Sequence, residues 1–330
     1  MQNPTQASES RGVMVYLEHS DDQLERVSLE ILGRARELAE RLTTDVTGVI
    51  LGYGLGRLAE EVVQFGADRV LVGDSPSLAQ YATDGFCNVL ADLVRDRRPE
   101  ILLLGATHDG RDLAGRLAVR LNTGLTAHAV QVDIEPETNL LVCGVPGFGG
   151  SIVAMCKCPR SRPQMATVRP GIFPIPERNL QRKGAIEPVQ VNVGQMRTRV
   201  VERSVKAGVD IAKAEIVVIA GRGAVTYFDS VRKFADSIGG AVGVTRPLAD
   251  KELMPRDYQV GSTGIAVTPK LTIVLGASGA AHFVSGIRGA KTVISINKDP
   301  DANINANADY FVVDDIGKLL PALLSKLEGR

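Results

Sequence analysis

The chain has 330 residues, 44% of them hydrophobic and 23% charged, a composition typical of an ordinary globular protein with two domains. Its 38 basic and 38 acidic residues cancel, and aromatic residues make up only 4% with no tryptophan. The charge balance gives no global attraction to nucleic acid or to a membrane surface. The scarcity of aromatic residues argues against a stacking platform for single-stranded nucleic acid.

The lack of a secretory signal in residues 1–10 and the small number of cysteines indicate a cytoplasmic protein. Residues 1–10 are polar and lack the basic start and apolar run of a secretory signal. The longest apolar runs are far shorter than the ~20 residues that cross a bilayer, so we expect no direct membrane insertion. Four cysteines in a chain of this length do not make a disulfide framework, and a reducing compartment is expected.

From residue 13, short apolar runs alternate with amphipathic stretches, a pattern typical of a parallel α/β domain. Apolar residues at helical spacing predict the helices, and the short apolar runs predict buried strands. The predicted strands are 13–18, 45–51, 69–73, 100–104 and 125–133, and the predicted helices are 24–42, 55–65, 78–97 and 109–121.

The pattern changes after residue 133. Short strands at 140–145, 151–158 and 164–168, separated by turns, predict an antiparallel extension of the first sheet. Prolines between 163 and 176 exclude a continuous helix or central strand there. Residues 186–205 read as an extended connector, which divides the chain into a disordered extension at 1–11, a platform domain at 12–205 and a second domain at 206–330.

The second domain repeats the α/β theme, so we predict two doubly wound domains, the second of them Rossmann-like. A long irregular section at 245–268 interrupts its regular pattern. The predicted strands are 215–220, 241–244, 271–275, 292–296 and 310–313, and the predicted helices are 227–238, 279–287 and 316–327.

A Gly-Arg-Gly turn at 221–223 follows the first strand of this domain and precedes a helix, where a phosphate would meet free N–H groups. The third glycine of a dinucleotide fingerprint is replaced by Thr226, and Thr245 and Arg246 stand where an acidic residue would hold a ribose. Standard NAD binding is therefore disfavoured, and phosphate binding and a plain strand-to-helix turn stay open as alternatives.

Small and polar residues cluster after several strands of the same domain. Residues 259–264 read Gln-Val-Gly-Ser-Thr-Gly, and residues 276–283 read Gly-Ala-Ser-Gly-Ala-Ala-His-Phe. In an open parallel sheet, loops at strand ends form one crevice, and glycine lets backbone N–H groups approach a flat anionic ligand. A flavin suits this crevice, because a hydroxyl can hydrogen-bond its reactive N5 and Arg246 near the ring favours anionic reduced forms.

Cys156 and Cys158 can be interpreted either as metal ligands or as structural cysteines. Two thiols on one strand share a face, but no further motif supplies the two remaining ligands of a tetrahedral site. Free cysteine is frequently part of a core, so buried structural cysteine is the preferred interpretation and no metal is expected.

Taken together and in order, the motifs resemble the alpha subunit of electron-transfer flavoproteins, over residues 13–327. The marks are Gly-Arg-Gly at 221–223, the runs at 259–264 and 276–280, and Thr-Val-Ile-Ser-Ile-Asn-Lys-Asp-Pro at 292–300. The resemblance implies a heterodimer in which this chain contacts a beta subunit through its first domain. It also implies one FAD in the second domain, which rotates between electron donor and acceptor, and a second FAD or an AMP in the beta subunit.

The resemblance also implies roles for individual residues. Arg222 and Ser278 would face the pyrophosphate, Arg246 the isoalloxazine ring, and Thr263 the flavin N5. Asn297 would hold the adenosine end together with Asp315 and Ile316. The remaining expected cofactor-binding residues, which complete the pocket, are Thr245, Gln259, Val260, Gly261, Ser262, Gly279, Ala280, His282 and Phe283.

Two departures from the family pattern concern the flavin's surroundings. The family has glutamine and then histidine after its Ser-Gly-Ala-Ile, whereas this chain has His282 and Phe283, so the histidine comes one place early. One residue on a helix is a rotation of about 100°, which directs His282 away from the usual atom. Ser262 replaces the family's glutamine before the threonine. Both changes affect the expected flavin potential more than the binding.

Further motifs of the first domain resemble the alpha subunits of NADH-linked, electron-bifurcating members. They are residues 109–113, 122–127, 148–150 and 162–171. We therefore predict an electron carrier with no acid, base or nucleophile of its own, which works between flavin dehydrogenases or a quinone oxidoreductase and a redox acceptor. NADH-dependent bifurcation in the complex is a further hypothesis. The alternatives are a nicotinamide-nucleotide-binding oxidoreductase subunit and a scaffold subunit that has lost its flavin.

Overall fold

The computed structural model describes residues 10–20, 22–147, 152–202 and 210–328. The backbone forms two compact units, Met1–Ser204 and Val205–Arg330. Nearly all of the predicted N-terminal extension, and the predicted domain boundary at residue 205, lie outside the described residues. None of the helices in these ranges combines the length and the apolar character that crossing a bilayer requires.

The first unit is built on a parallel sheet of seven strands with helices on both faces, as the sequence predicts. All residues of β1 and β6 are buried, which explains why these strands read as continuous apolar runs. The strands are β1 (Val13–Leu17), β2 (His19–Ser20), β3 (Gln23–Leu24), β4 (Val46–Gly52), β5 (Arg69–Asp74), β6 (Ile101–Gly105), β7 (Leu125–Ala129), β8 (Gln131–Ile134), β9 (Leu141–Gly147), β10 (Ile152–Lys157), β11 (Gln164–Val168) and β12 (Ala185–Pro188).

The parallel sheet has the order β12-β5-β4-β1-β6-β11-β7. One apolar core lies under two of the helices and a second core lies on the other face of the sheet, under the other two. This arrangement buries both faces and makes the unit doubly wound. The helices of the first core are α1 (Arg26–Leu42) and α2 (Leu58–Gln64), and those of the second are α3 (Thr83–Arg97) and α4 (His108–Leu121).

The antiparallel part differs from the prediction in its strand assignment. The predicted strand at 125–133 is two strands, because the backbone bends at Val130 between them. His128, whose φ is 59°, instead lies at an irregularity in the pairing of the first of these strands. β7 stays in the parallel sheet, whereas β8 joins a separate antiparallel sheet of order β10-β9-β8. β11, which we predicted in the antiparallel extension, instead lies between β6 and β7 and runs parallel to both. The predicted turn at 146–150 lies mostly outside the described residues.

The expectation of buried structural cysteines at 156 and 158 is wrong. Both side chains are partly exposed. Cys156 is on β10, which is at the edge of its sheet and has nearly all of its side chains open to solvent, and Cys158 follows just after the end of this strand. In the described residues, no three or more His, Cys, Asp or Glu side chains are grouped to hold a metal ion.

The predicted connector at 186–205 belongs to the first unit for most of its described length. β12 pairs with β5, and Arg197 N donates to Asp84 Oδ2 at 2.8 Å. Asp84 is only 3% exposed and also forms an ion pair with Arg116. The connector is therefore held as far as Arg197 rather than simply extended, because apolar side chains anchor it to the core of the unit. These side chains are Val189, Val191 and Val193.

The second unit is a parallel sheet of five strands with the order β14-β13-β15-β16-β17. Its strands match the prediction, but the predicted helix at 279–287 is reduced to one turn at 281–284. Its start is delayed because Gly279 has a φ of 82°, and residues 285–289 form turns. The elements are β13 (Ile216–Ala220), α5 (Phe228–Ser237), β14 (Ala241–Val244), α6 (Arg246–Ala249), β15 (Leu271–Leu275), α7 (Ala281–Val284), β16 (Val293–Asn297), β17 (Tyr310–Val313) and α8 (Ile316–Glu328).

A carboxyl group is enclosed at the carboxyl end of β1 in the first unit. Thr107 Oγ1 donates to Glu18 Oε2 at 2.6 Å, whereas Glu18 Oε1 is buried and has no hydrogen-bond partner among the described residues. The pKa of Glu18 is raised from its ordinary 4.5 to about 7. Burial is the main cause, the hydrogen bond from Thr107 opposes it, and the charges of Asp109 and Glu25 add to it. The folded chain therefore holds this proton more tightly than the unfolded chain does.

We predict that Glu18 makes the first unit less stable as the pH rises from about 5 to 8. A carboxyl group with a raised pKa stabilises the folded state fully below its pKa in the unfolded chain. This stabilisation is lost as the pH rises through its pKa in the folded chain, and for Glu18 it amounts to at most about 3 kcal/mol. Glu18→Gln removes this dependence and is more stable than the wild type above pH 7. Amide exchange in β1 and β6, followed as a function of urea concentration, measures the free energy of unfolding of the wild type and of Glu18→Gln at pH 5 and at pH 8.

The exposed Glu137 supplies the control, because Glu137→Gln leaves the pH dependence unchanged. An equal stability change of Glu18→Gln at both pH values would contradict the account of Glu18.

Candidate functional site

The carboxyl ends of the second unit's parallel strands define the position of its site. β13 and β15 are neighbours in the sheet, and the chain runs from β13 to β14 on one side and from β15 to β16 on the other, so these two connections leave in opposite directions. At such a switch point the loops separate and leave a crevice, which is where ligands bind in open α/β sheets. The two glycine-rich motifs follow β13 and β15 and therefore meet at this point.

These two loops pack against each other through their backbones. Gly223 N donates to Gly276 O at 2.9 Å, and Gly221 N donates to Leu275 O at 2.8 Å. A Cβ atom added to Gly221 would collide with the Cα and the amide nitrogen of Ala277. Gly276 has a φ of 64°, which favours glycine. The glycines are therefore required for the contact, and they leave the adjoining edge free of bulky side chains.

A cavity of about 710 Å³ opens at this edge, within the range of about 300–1,000 Å³ that is common for ligand sites. Its walls come from the loops after four strands and from the turn at 259–264. All but three of the predicted cofactor-binding residues line it: Arg222, Thr245, Arg246, Gln259, Val260, Gly261, Thr263, Ser278, Gly279, Ala280, His282, Phe283 and Asn297.

The three other predicted residues, Ser262, Asp315 and Ile316, are not among those that line the cavity. Ser262 Oγ is 3.0 Å from His282 Nδ1, and Ser262 N donates to His282 O at 2.8 Å, so Ser262 connects the turn to α7. Asp315 Oδ1 accepts from Gly317 N at 2.7 Å and caps the start of α8. Ile316 is buried in the core of the unit. Ser262 and Ile316 thus contact His282 and Gly276, which line the cavity, whereas Asp315 caps a helix.

The turn at 259–264 holds a hydroxyl in a defined orientation. Gln259 is 6% exposed, and its Nε2 donates to Thr263 Oγ1 at 2.9 Å. Because this oxygen accepts from the amide, the Thr263 hydroxyl hydrogen is available for another acceptor. A Cβ atom at Gly261 would come within 2.9 Å of His282 O, so only glycine allows the turn to pack this closely on α7. The turn therefore offers a positioned donor.

Cationic side chains predominate on the cavity walls. Arg222, Arg246 and Lys298 line the cavity and are exposed, and Asp299 is the acidic residue among the lining side chains of the described chain. Arg246 Nε lies 3.4 Å from Asp250 Oδ2, in an exposed pair that contributes little stability. Arg222 makes no ion pair with any described residue. The excess of positive charge suits an anionic ligand.

Asn297 has a structural role at the edge of the cavity. Its Nδ2 donates to Ala277 O at 2.8 Å, and its Oδ1 accepts from Asp299 N at 3.1 Å. The side chain is buried and connects the loops after β15 and β16. Its amide groups are thus satisfied by the protein itself.

The two residues that depart from the family pattern, His282 and Phe283, lie on opposite sides of α7. Phe283 is 7% exposed and packs into the core beneath the cavity, whereas His282 is exposed at the cavity wall. The aromatic ring thus supplies an apolar wall, and the imidazole supplies the polar group near it.

Sequence reasoning did not assign Pro247 or Ala302, both of which line the cavity. Pro247 directly follows the predicted Arg246 and is the second residue of α6, so its position next to Arg246 in the sequence was a signal for it. Ala302 reaches the cavity because the chain folds back after β16, where Ile304 N donates to Ser278 O at 3.2 Å. No pattern in the sequence indicates that return.

The second unit is an open α/β domain with a crevice at the switch point of its sheet, the position at which proteins of this class bind their ligands. Residues 13–193 match the family model of the electron transfer flavoprotein domain, and residues 210–288 match that of the electron transfer flavoprotein FAD-binding domain. The chain belongs to the electron transfer flavoprotein family, as an alpha-type electron transfer subunit. The resemblance drawn from the sequence is confirmed.

Three relatives cover nearly the whole chain. The electron transfer flavoprotein subunit alpha of Clostridium acetobutylicum is 40% identical over 97% of each chain. Protein FixB of Rhizobium meliloti is 38% identical over 99% of this chain and 96% of its own. The lactate dehydrogenase (NAD(+),ferredoxin) subunit LctC of Acetobacterium woodii is 36% identical over 97% of this chain and 77% of its own.

We predict that Gly221→Ala destabilises the second unit by about 1–3 kcal/mol, because the added methyl group forces the loops after β13 and β15 apart. Amide exchange of β13 and β15 measures the loss. The control is Gly115→Ala on an exposed face of α4, where an added Cβ meets no atom within 4 Å. That change stabilises its helix by roughly 0.5–1 kcal/mol. Unchanged exchange in Gly221→Ala would show that the loop contact is not tight.

Proposed function

We propose that the second unit binds FAD in the cavity at the carboxyl ends of its strands. We further propose that the chain carries single electrons between flavin dehydrogenases or a quinone oxidoreductase and a redox acceptor. The single observation that carries the proposal is the glycine-built cavity of about 710 Å³ with three cationic side chains on its walls. The match of residues 210–288 to an FAD-binding domain model supports the same ligand.

The residues present fit FAD. Its pyrophosphate is anionic and suits the guanidinium of Arg222 and the ammonium of Lys298. Any Cβ at Gly221 or Gly279 would collide with neighbouring main-chain atoms, so glycine is required there for the loops to pack. Beside these glycines the cavity is lined by the small residues Ala277 and Ser278, which a flat ring system can approach closely. The apolar side chains of Val260 and Phe283 supply the surface on which a ring system can pack.

The proposed roles follow the chemistry of each side chain. Arg222 and Ser278 bind the pyrophosphate. Arg246 lies against the isoalloxazine ring, and Thr263 donates its hydroxyl hydrogen to N5. Gln259 keeps that hydroxyl in place through its own amide hydrogen bond. Asn297 supports the loop that holds the adenosine end, with Asp315 and Ile316 behind it.

FAD, when bound, supplies the capacity to accept and release electrons one at a time. The side chains of the cavity bind and orient the cofactor and exclude water from one of its faces. Arg246 favours negative charge on the ring, and Thr263 fixes the hydrogen bond to N5. No acid, base or nucleophile of this chain is required, so the chain is an electron carrier and not a stand-alone enzyme.

We propose that the chain works as a cytoplasmic heterodimer with an electron transfer flavoprotein beta subunit, which holds a second FAD or an AMP. The first unit is the platform for that partner. The relative LctC belongs by name to a lactate dehydrogenase that uses NAD(+) and ferredoxin. That name and the motifs at 109–113 and 162–171 support NADH-dependent electron bifurcation in the complex.

Co-purification with the beta partner, followed by a visible absorption spectrum, tests the central proposal. A flavin spectrum that is lost on cofactor removal and restored by added FAD is expected. A colourless complex that takes up no FAD would overturn the proposal and favour a scaffold subunit. NADH binding by the flavin-free chain would instead favour a nicotinamide nucleotide site.

Flavin stoichiometry tests the bifurcation proposal separately. We expect two flavins in each heterodimer and their reduction by NADH. One flavin together with AMP would exclude bifurcation and leave simple electron transfer.

We predict that Arg222→Ala weakens FAD binding about ten- to a hundredfold, because a charge-assisted hydrogen bond contributes roughly 1.5–3 kcal/mol. Titration of the flavin-depleted complex with FAD, followed by flavin fluorescence, measures the affinity. Lys270→Ala is the matched control: this cation precedes β15 at the opposite end of the sheet and pairs with Glu215 at 2.6 Å. Equal effects of the two changes would contradict the role of Arg222.

We predict that Arg246→Ala lowers the midpoint potential of the bound flavin, because a positive charge beside the ring stabilises its anionic reduced forms. A reductive titration against a reference dye measures the potential. Lys251→Ala, an exposed charge outside the cavity lining, should leave it unchanged. The same potential in Arg246→Ala and in the wild type would refute a position of Arg246 at the ring.

A further inference from the structure

Two cysteines of the first unit are paired across neighbouring strands. Cys143 on β9 is directly opposite Cys156 on β10 in the antiparallel register. Cys143 is 1% exposed and lies on the face that carries Val132 and Leu141 into the core. Cys156 is partly exposed at the sheet edge, and its thiol is free. The FAD site, in the other unit, does not involve either residue.

The register brings the two thiols within reach of each other. Directly opposite residues of an antiparallel pair project from the same face, and their Cα atoms are roughly 4.5–5.5 Å apart. A disulfide requires a Cα separation of about 4.4–6.8 Å. Both kinds of antiparallel pair satisfy this requirement, so a bond can form without moving the backbone into another register.

We propose that Cys143 and Cys156 form a redox pair that hydrogen peroxide closes to a disulfide and a thiol reductant reopens. The site is a modification site of the first unit and is independent of the flavin. It uses the register of β9 and β10 and the difference in exposure between the two thiols.

The chemistry balances in two steps. The sulfur of Cys156 attacks one peroxide oxygen, an S–O bond forms as the O–O bond breaks, and water leaves with the thiol proton. The sulfur of Cys143 then attacks the sulfur of Cys156; the S–S bond forms, the S–O bond breaks, and the hydroxide leaves as water with the proton of Cys143. Both sulfurs are oxidised and one peroxide is reduced to two molecules of water.

The surroundings set the order of the two steps. Cys156 is the thiol that solvent reaches. Burial, together with the neighbouring Cys156, raises the pKa of Cys143 to about 12, so Cys143 stays protonated and does not react first with peroxide. Cys143 instead resolves the oxidised Cys156, which holds an electrophilic sulfur directly opposite it.

A third thiol, Cys158, lies past the end of β10. The register of β9 and β10 ends at the pair of Lys157 and Val142, so Cys158 has no partner position on β9. Its Sγ instead lies 3.0 Å from the position that a Cβ on Gly124 would take. Cys158 is therefore the natural internal control.

The disulfide would fix an edge strand. In the described sheet β10 has one neighbouring strand, and its side chains are largely exposed. A covalent bond from β9 would hold β10 in register and restrict the opening of its hydrogen bonds. β10 presents large apolar side chains to solvent, and the disulfide would fix their position. They are Ile152, Val153 and Met155.

Peptide mapping of the full-length chain tests the proposal. The reduced protein is treated with hydrogen peroxide, free thiols are alkylated, and the denatured protein is digested with chymotrypsin, which cleaves after Phe148 between the two cysteines. We expect a cross-linked peptide pair that contains Cys143 and Cys156, with the loss of two hydrogen atoms and reversal by dithiothreitol. Alkylation of Cys143 and Cys156 should fall in parallel, while Cys158 stays alkylated.

Variants and amide exchange complete the test. Cys158→Ser should keep the cross-link, and Cys156→Ser should abolish it without disturbing the core. In the wild type, oxidation should slow amide exchange in β10, and the reductant should restore it. A bond between Cys156 and Cys158, oxidation of Cys156 to a sulfinic acid without a cross-link, or no reaction at all would each overturn the proposal.

Discussion

The backbone contact between the loops after β13 and β15 is the constraint on which the candidate site depends. Gly221 and Ala277 approach more closely than any side chain at Gly221 would permit, and Gly223 N donates to Gly276 O. This contact lies at the switch point of the sheet, where the two loops diverge. It places an edge of main-chain atoms and small side chains beside the crevice, so that a flat ligand can approach the backbone.

The other elements of the site add chemistry to this edge. The turn at 259–264 packs on α7 through Gly261 and presents the Thr263 hydroxyl, with Gln259 holding its oxygen. The loops after β13, β14 and β16 each contribute one of the cations Arg222, Arg246 and Lys298. Because these groups come from separate loops, their convergence is a property of the parallel sheet and not of any single motif.

Much of this arrangement could be predicted from the sequence, because strand ends and glycine clusters are local signals. The placement of β11 could not be predicted: a short apolar strand after a hairpin has the same pattern whether it extends the hairpin or crosses to the parallel sheet. The split at Val130 has no local signal either, because the residues on both sides of it fit one continuous strand pattern. Likewise, Ala302 lines the cavity only because the chain folds back after β16. The side-chain amide of Asn297 donates a hydrogen bond to Ala277 O, which no local pattern indicates.

The most direct test of an FAD site in the second unit is amide hydrogen exchange of the flavin-depleted heterodimer with and without added FAD. The account predicts slower exchange at residues 221–223, 259–264 and 276–280, which belong to separate loops around one cavity. It predicts no comparable change in β1 and β6 of the first unit. Protection confined to the first unit, or no protection of the three loops, would contradict it.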